Sequence, residues 1–92
     1  MAFSVAYHFK FMIEVFKTDV KDREHATMLI DRIHEVFDSY NANFDLDDCD
    51  NILRVKSTNG SVECYYLIKL LKKYGFNAEV LPDDVKAFQH NT

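Results

Sequence analysis

A carboxylate, an imidazole and a thiol are the side chains of this sequence that could together hold a metal ion: Asp22, His25 and Cys49. Such a mixed set suits a borderline ion such as Zn²⁺ and binds Cu(I) poorly. No second histidine stands close to His25 in the sequence. We therefore favour a plainer interpretation, in which Asp22 caps a helix, His25 is exposed in its first turn and Cys49 belongs to a turn. No metal ion, no cofactor and no catalytic residue is expected.

An acidic run at residues 45–50 is the second group that could bind a cation. Calcium loops need alternating oxygen ligands, a glycine at the sharp bend and a late bidentate glutamate. The glycine and the glutamate are both missing here, so a solvated acidic turn is the better interpretation. The other thiol, Cys64, falls on the inner stripe of a predicted helix, where a free cysteine behaves as a small apolar residue.

Composition excludes several classes of protein. The chain has 92 residues, of which 48% are hydrophobic and 14% aromatic, and this predicts one small globular domain. Its net charge of −4 argues against nucleic acid as a partner, because binding phosphate requires a basic face. No apolar run approaches the roughly 18–20 residues of a membrane-spanning helix. The apolar beginning of the chain has no basic n-region and no small-residue cleavage site, so we expect a cytoplasmic protein.

Strict alternation is the main feature of the N-terminal stretch. Its odd positions are apolar from Phe3 to Val15, which is typical of a half-buried strand. The alternation covers about 13 residues, against about 5–6 in an ordinary strand. Three interpretations stay open: an unusually long first strand, an extra strand over residues 1–11 that needs an edge to pair with, or an upstream extension before Met12.

Two amphipathic helices and three further strands follow. Apolar residues spaced by three and four predict a helix over residues 22–37 and another over 62–74. Asp19 or Asp22 can cap the start of the first helix. Ser61 is the expected N-cap of the second helix, and Gly75 stands where a helix C-cap requires a left-handed residue. Alternation and turn residues predict strands over residues 40–46, 52–57 and 76–81.

This order of elements predicts an α+β fold: a ferredoxin-like βαββαβ two-layer sandwich with an antiparallel sheet in the order 4-1-3-2. The domain would span residues 12–82, between an N-terminal extension (1–11) and a tail (83–92). In this topology the β1–α1 loop, the β2–β3 turn and the α2–β4 junction share one end of the sheet. Asp22 and His25 should therefore lie near Cys49.

The sequence resembles a heavy-metal-associated domain over about residues 12–81. The similarity rests on Ile13-Glu14-Val15, the Ala26, Leu29 and Ile30 helix face, Leu53-Arg54-Val55 and the Tyr74-Gly75-Phe76-Asn77-Ala78 junction. Members of that family with metal function carry Met-x-Cys-x-x-Cys in the first loop, whose two thiolates hold a soft ion. This chain has no cysteine between Thr18 and His25, and Asp22 and His25 fall near the cysteine positions. The resemblance thus implies the fold without soft-metal transfer.

The leading hypothesis is a small non-enzymatic interaction module. An apolar strand as long as residues 1–15 has to be paired or covered, which predicts a protein partner or self-association through strand pairing. The alternative is a metal-ion carrier that uses Asp22, His25 or Cys49 in place of the paired cysteines. Neither nucleic acid nor a membrane is expected as a partner.

Overall fold

The structure, a computed structural model, describes residues 12–81. Along this stretch run β1 (Met12–Thr18), α1 (Arg23–Val36), β2 (Tyr40–Asp45), β3 (Ile52–Ser57), α2 (Cys64–Lys73) and β4 (Ala78–Val80). The predicted helices and strands over residues 22–81 are confirmed, with ends that shift by a few residues. The expected extra strand (residues 1–11) and tail (83–92) lie outside the described part of the chain.

The four strands form one antiparallel sheet in the order β2-β3-β1-β4. Read from the other edge this is 4-1-3-2, as predicted, and the arrangement is compatible with a ferredoxin-like fold. β1 lies in the middle of the sheet, where it pairs with β3 from Met12 to Phe16 and with β4 from Phe16 to Thr18. β1 is therefore paired on both sides, and the two edge strands of the sheet within residues 12–81 are β2 and β4.

Both helices cover the same face of the sheet, α1 mainly over β2 and α2 over β4. Alternate residues of β2 and β3 face this layer, which agrees with the alternation that predicted both strands. The core they enclose consists of Phe16, Val20, Ala26, Leu29, Ile33, Tyr40, Ala42, Phe44, Leu53, Val55, Val62, Leu67 and Leu71.

Burial in β1 follows the parity opposite to the apolar alternation of the N-terminal stretch. Phe16 and Thr18 are buried, whereas Ile13 is 51% exposed. Successive side chains of a strand point to opposite faces, and the helices cover only the face to which Phe16 points. The odd positions of β1 consequently lie on the open face of the sheet.

The helix ends differ from the prediction at α2. The expected N-cap, Ser61, is wrong: α2 begins at Cys64 and the N-cap position is Glu63, with no hydrogen bond from a capping side chain. The Tyr40 hydroxyl instead accepts the Glu63 backbone N–H at 2.6 Å. Asp22 occupies the N-cap position of α1 as predicted, again without a side-chain cap bond. Gly75 follows α2 with φ +92°, which confirms the predicted left-handed residue.

The β2 edge is partly occupied by groups from α1 and the residue after it. The Tyr40 backbone N–H donates to the carbonyl oxygen of Phe37 at 3.1 Å. The Ala42 backbone N–H donates to His34 Nε2 at 3.3 Å. Exposed edges invite pairing with another strand, and these two contacts leave β2 less free for it. β4 limits pairing in another way, since it is only 3 residues long.

Candidate functional site

Three connections meet at one end of the sheet, as the topology predicts. We call this region the loop end; it comprises residues 19–22, 46–51 and 74–77. The Thr18 backbone N–H donates to the carbonyl oxygen of Asp50 at 3.1 Å, and the Thr18 hydroxyl donates to that of Asn51 at 2.6 Å. These bonds fix the end of β1 against the β2–β3 turn.

Asp19 and Asn77 join the first loop to the last junction. The backbone N–H of Asn77 donates to Asp19 Oδ1 and its side-chain amide donates to Oδ2, each at 2.8 Å. Partial desolvation acts to raise the pKa of the Asp19 carboxyl, but the hydrogen bonds from Asn77 outweigh it and hold that pKa below its ordinary value. The carboxylate is therefore a structural acceptor, engaged on both oxygens.

Asp22 and His25 pair with each other at the start of α1. Asp22 Oδ1 lies 2.5 Å from His25 Nδ1, and both side chains are about half exposed. The His25 ring packs against Phe76, with 5.1 Å between the ring centroids. A carboxylate and an imidazole are thus adjacent, and the imidazole is held from two sides.

Cys49 belongs to a different cluster. Within residues 12–81, the one group of three potential ligand side chains whose ligand atoms all lie within 4.8 Å of one another is Asp48, Cys49 and Asp50. Asp22 and His25 are not part of it, so the three predicted candidates do not form one ligand set.

The contacts of the Asp48 group are those of an ordinary turn. Asp48 Oδ1 accepts the backbone N–H of Asp50 at 2.9 Å, the pattern by which aspartate stabilises a bend. Asn51 then takes φ +50°, a region that asparagine adopts more readily than most residues. Lys17 Nζ lies 4.0 Å from Asp50 and partly neutralises the turn.

The two thiols are far from equivalent. Cys49 is exposed in the turn, whereas Cys64 is half-buried at the start of α2 and packs against the core. Both are free. The inner position predicted for Cys64 is confirmed.

A second candidate site lies on the opposite side of the molecule from the open sheet face. Here the end of α1 and the outer surface of α2 form an apolar groove of about 520 Å³, which we call the helix groove; it is lined by Val36, Phe37, Tyr66, Lys69, Leu70 and Lys73. Its walls are uncovered within the described chain, since Val36 is 60% and Tyr66 58% exposed. Tyr65, beside Tyr66 with the rings edge to face at 5.3 Å, is 64% exposed.

The rim of the helix groove is basic. Within residues 12–81 neither Lys69 nor Lys73 forms an ion pair. Their ammonium groups lie over aromatic rings instead, Lys69 Nζ 5.3 Å from the Tyr65 centroid and Lys73 Nζ 5.9 Å from that of Tyr74. Cation–π contacts at exposed positions are weak, of about 0.5–1 kcal/mol, so both charges remain available to a partner.

The helix groove was not predicted from the sequence, because the apolar spacing of α2 indicates only the stripe that faces the core. A signal was present: Tyr65, Tyr66 and Leu70 are apolar or aromatic residues off that stripe. A surface helix ordinarily carries polar residues there, and a helix that is apolar on several sides is buried against something. What sequence could not supply is Val36 and Phe37, which come from the other helix.

Comparison with known proteins gave no relative: the chain matches no protein-family model, no curated protein and no solved structure. None of the helices within residues 12–81 is long and apolar enough to cross a membrane.

Proposed function

We propose that this protein is a small non-enzymatic interaction module whose binding surface is the helix groove. The observation that carries the proposal is the exposure of Val36 and Tyr66 on either side of one apolar depression. Single exposed apolar residues are normal on a protein surface, but a contiguous apolar groove with a polar rim is typical of an interaction site. The groove is also long enough for side-chain anchors from a partner, since Tyr66, Leu70 and Lys73 follow one face of α2 for two turns.

The arrangement at the loop end supports a structural rather than a catalytic role for its polar residues. Asp19 is engaged by Asn77, and Asp22 by His25. A general base has to reach a substrate within a site that positions it. The Asp22 and His25 side chains are about half exposed, and a structural role for this pair is part of the proposal.

The scaffold in this proposal is that of a heavy-metal-associated domain that has lost soft-metal transfer. The first loop holds no cysteine, and the two cysteines of the chain, Cys49 and Cys64, stand in separate elements. Two thiolates from one loop are what Cu(I) would need. We place the protein in the cytoplasm with a protein partner, and the net charge of −4 speaks against nucleic acid.

Photocrosslinking tests the interaction proposal directly. A benzophenone amino acid at position 65 replaces one exposed aromatic by another beside the groove, and the same group at exposed Glu24 serves as the control. We expect position 65 to give one discrete adduct with a partner protein, and this adduct should disappear when Tyr66→Ser is added. Position 24 should give no adduct. Adducts that are equal at both positions, or that are unaffected by Tyr66→Ser, would contradict the proposal.

A second candidate function, a metal-ion carrier, is favoured by one observation: Asp22 and His25 are already adjacent at 2.5 Å. Both could turn toward one divalent ion such as Zn²⁺. Isothermal titration with Zn²⁺ of the wild type and of an Asp22→Ala, His25→Ala double variant decides between the two. If the protein is a carrier, the wild type should bind Zn²⁺ with micromolar affinity and the double variant should not. If it is an interaction module, the wild type should bind Zn²⁺ no better than the double variant does.

A further inference from the structure

From the charges around the helix groove we infer its partner: an acidic amphipathic helix of another protein, with apolar anchors in the groove and carboxylates against Lys69 and Lys73. This inference rests on the proposed function and names the class of partner. Grooves between helices are a common receptor for the apolar face of an amphipathic helix. The chemistry of the rim decides which helix would fit.

The charge of α2 is opposite to that of the chain as a whole. The helix carries Lys69, Lys72 and Lys73 and no acidic residue, whereas the protein has a net charge of −4. Lys72 Nζ donates to Asn77 Oδ1 at 3.1 Å and is thereby directed to the loop end. Lys69 and Lys73, one helical turn apart, remain as the cations at the groove without an ion pair in the described part of the chain.

On the α1 side of the groove, the charged side chains of Arg32 and Glu35 pair with each other. Arg32, one turn before Val36, donates to Glu35 at 2.6 Å, and this hydrogen bond raises the pKa of the guanidinium. Since Arg32 and Glu35 pair with each other, the charged side chains that line the groove itself are the two lysines of α2. Asp38 and Glu63 line the neighbouring depression, which shares Val36 and Phe37 with the groove. A partner with carboxylates four residues apart on its helix would meet both.

Other occupants fit these charges less well. A second copy docked symmetrically would bring Lys69 and Lys73 against the same lysines, and like charges in an interface are unfavourable. An anionic membrane surface would attract the two lysines, but it would also face acidic side chains well outside the groove on a protein of net charge −4, whereas a single helix meets the groove alone. An acidic helix satisfies the lysines and covers the apolar walls at once.

The probe is a fluorescein-labelled peptide of about three helical turns with leucines on one face and glutamates on both flanks. Its counterpart has lysine in place of every glutamate. Binding to the full chain is followed by fluorescence anisotropy at low and high salt. We expect micromolar binding of the glutamate peptide, weakened by salt, and no binding of the lysine peptide.

Two charge-reversed variants with the same net charge separate local from long-range electrostatics. Lys69→Glu with Lys73→Glu changes the rim, and Lys21→Glu with Arg23→Glu changes exposed positions at the start of α1. We expect the rim variant to lose about tenfold in affinity for the glutamate peptide and to gain binding of the lysine peptide. The control variant should lose less than about twofold. Circular dichroism verifies that both variants are folded.

Several results would overturn the inference. Equal affinity for the two peptides, or equal losses of affinity in the two variants, would mean that Lys69 and Lys73 do not select an acidic partner. Binding to phosphatidylserine vesicles that depends on Lys69 and Lys73, without peptide binding, would identify a membrane. Dimers that dissociate on Tyr66→Ser would identify a second copy. If position 65 gives its adduct while neither peptide binds, the proposed function stands and only the acidic partner fails; without adduct or binding, both fail.

Discussion

Asp19 and Asn77 are 58 residues apart in the chain, yet two hydrogen bonds of 2.8 Å join them at the loop end. The pair links the residue after β1 to the residue before β4, and the Asp19 backbone N–H adds a third bond to the carbonyl oxygen of Asn77 at 3.3 Å. This contact positions the first loop, and through it the start of α1 with Asp22 and His25.

Removing the Asp19 carboxylate should destabilise the protein. Asp19→Ala leaves both Asn77 donors to water, and we expect the free energy of unfolding to fall by about 1 kcal/mol in urea denaturation. Asp31→Ala, an exposed acid in α1, is the control and should change stability by less than about 0.5 kcal/mol. Equal effects of the two substitutions would show that the Asn77 bonds contribute nothing.

The stabilisation that the Asp19 carboxylate provides should depend on pH. Because folding lowers the pKa of Asp19 below the ordinary value of 3.8, its stabilisation is fully present above that value and is lost as pH falls through the lowered pKa. The difference in stability between wild type and Asp19→Asn should therefore be constant from about pH 7 to pH 5 and shrink below about pH 4. Thermal unfolding across this range measures it, and a difference that grows in acid would mean that folding raises this pKa.

The Tyr40 hydroxyl should stabilise the start of α2. It accepts the Glu63 N–H at 2.6 Å in a helix that has no capping side chain. Tyr40→Phe removes the acceptor, and we expect a loss of about 1 kcal/mol, similar to that of an N-cap residue. Tyr65→Phe loses an exposed hydroxyl and should cost less than about 0.5 kcal/mol by the same denaturation measurement. A smaller loss at Tyr40 than at Tyr65 would contradict this role.

Substituting two leucines of α2 in turn should distinguish a core position from a position in the helix groove. Leu67 is 1% exposed in the core, whereas Leu70 is only partly buried and lines the groove. Leu67→Ala should cost about 2–5 kcal/mol, and Leu70→Ala about 1 kcal/mol. Thermal melts of the two variants compare them. A loss at Leu70 as large as that at Leu67 would mean that the groove is part of the core.

The prediction of strand pairing concerns residues 1–11. If that segment builds a dimer, the full chain should sediment as a dimer and a chain beginning at Met12 as a monomer. Since His34 and Phe37 already occupy two backbone N–H groups of the β2 edge, such pairing would use β4 or the partner's own N-terminal strand. Monomers in both samples would end the strand-pairing hypothesis and leave the helix groove unaffected.

Local patterns in the sequence determined the elements and their order. Alternation in β2 and β3, the apolar spacing of both helices and the left-handed Gly75 are properties of short segments, because helical and extended backbones each repeat within a few residues. The topology followed, since two helices with single apolar faces need a sheet to cover them. The meeting of three connections at the loop end followed from that topology.

Only the tertiary structure decided which surfaces meet. The alternation before Val15 is periodic, but the position of the helix layer determines that Phe16 faces the core and Ile13 does not. The Asp19 and Asn77 pair depends on β1 and β4 being neighbours, and the helix groove depends on the end of α1 lying beside the outer face of α2. Contacts of this kind join distant segments, so no periodicity along the chain records them.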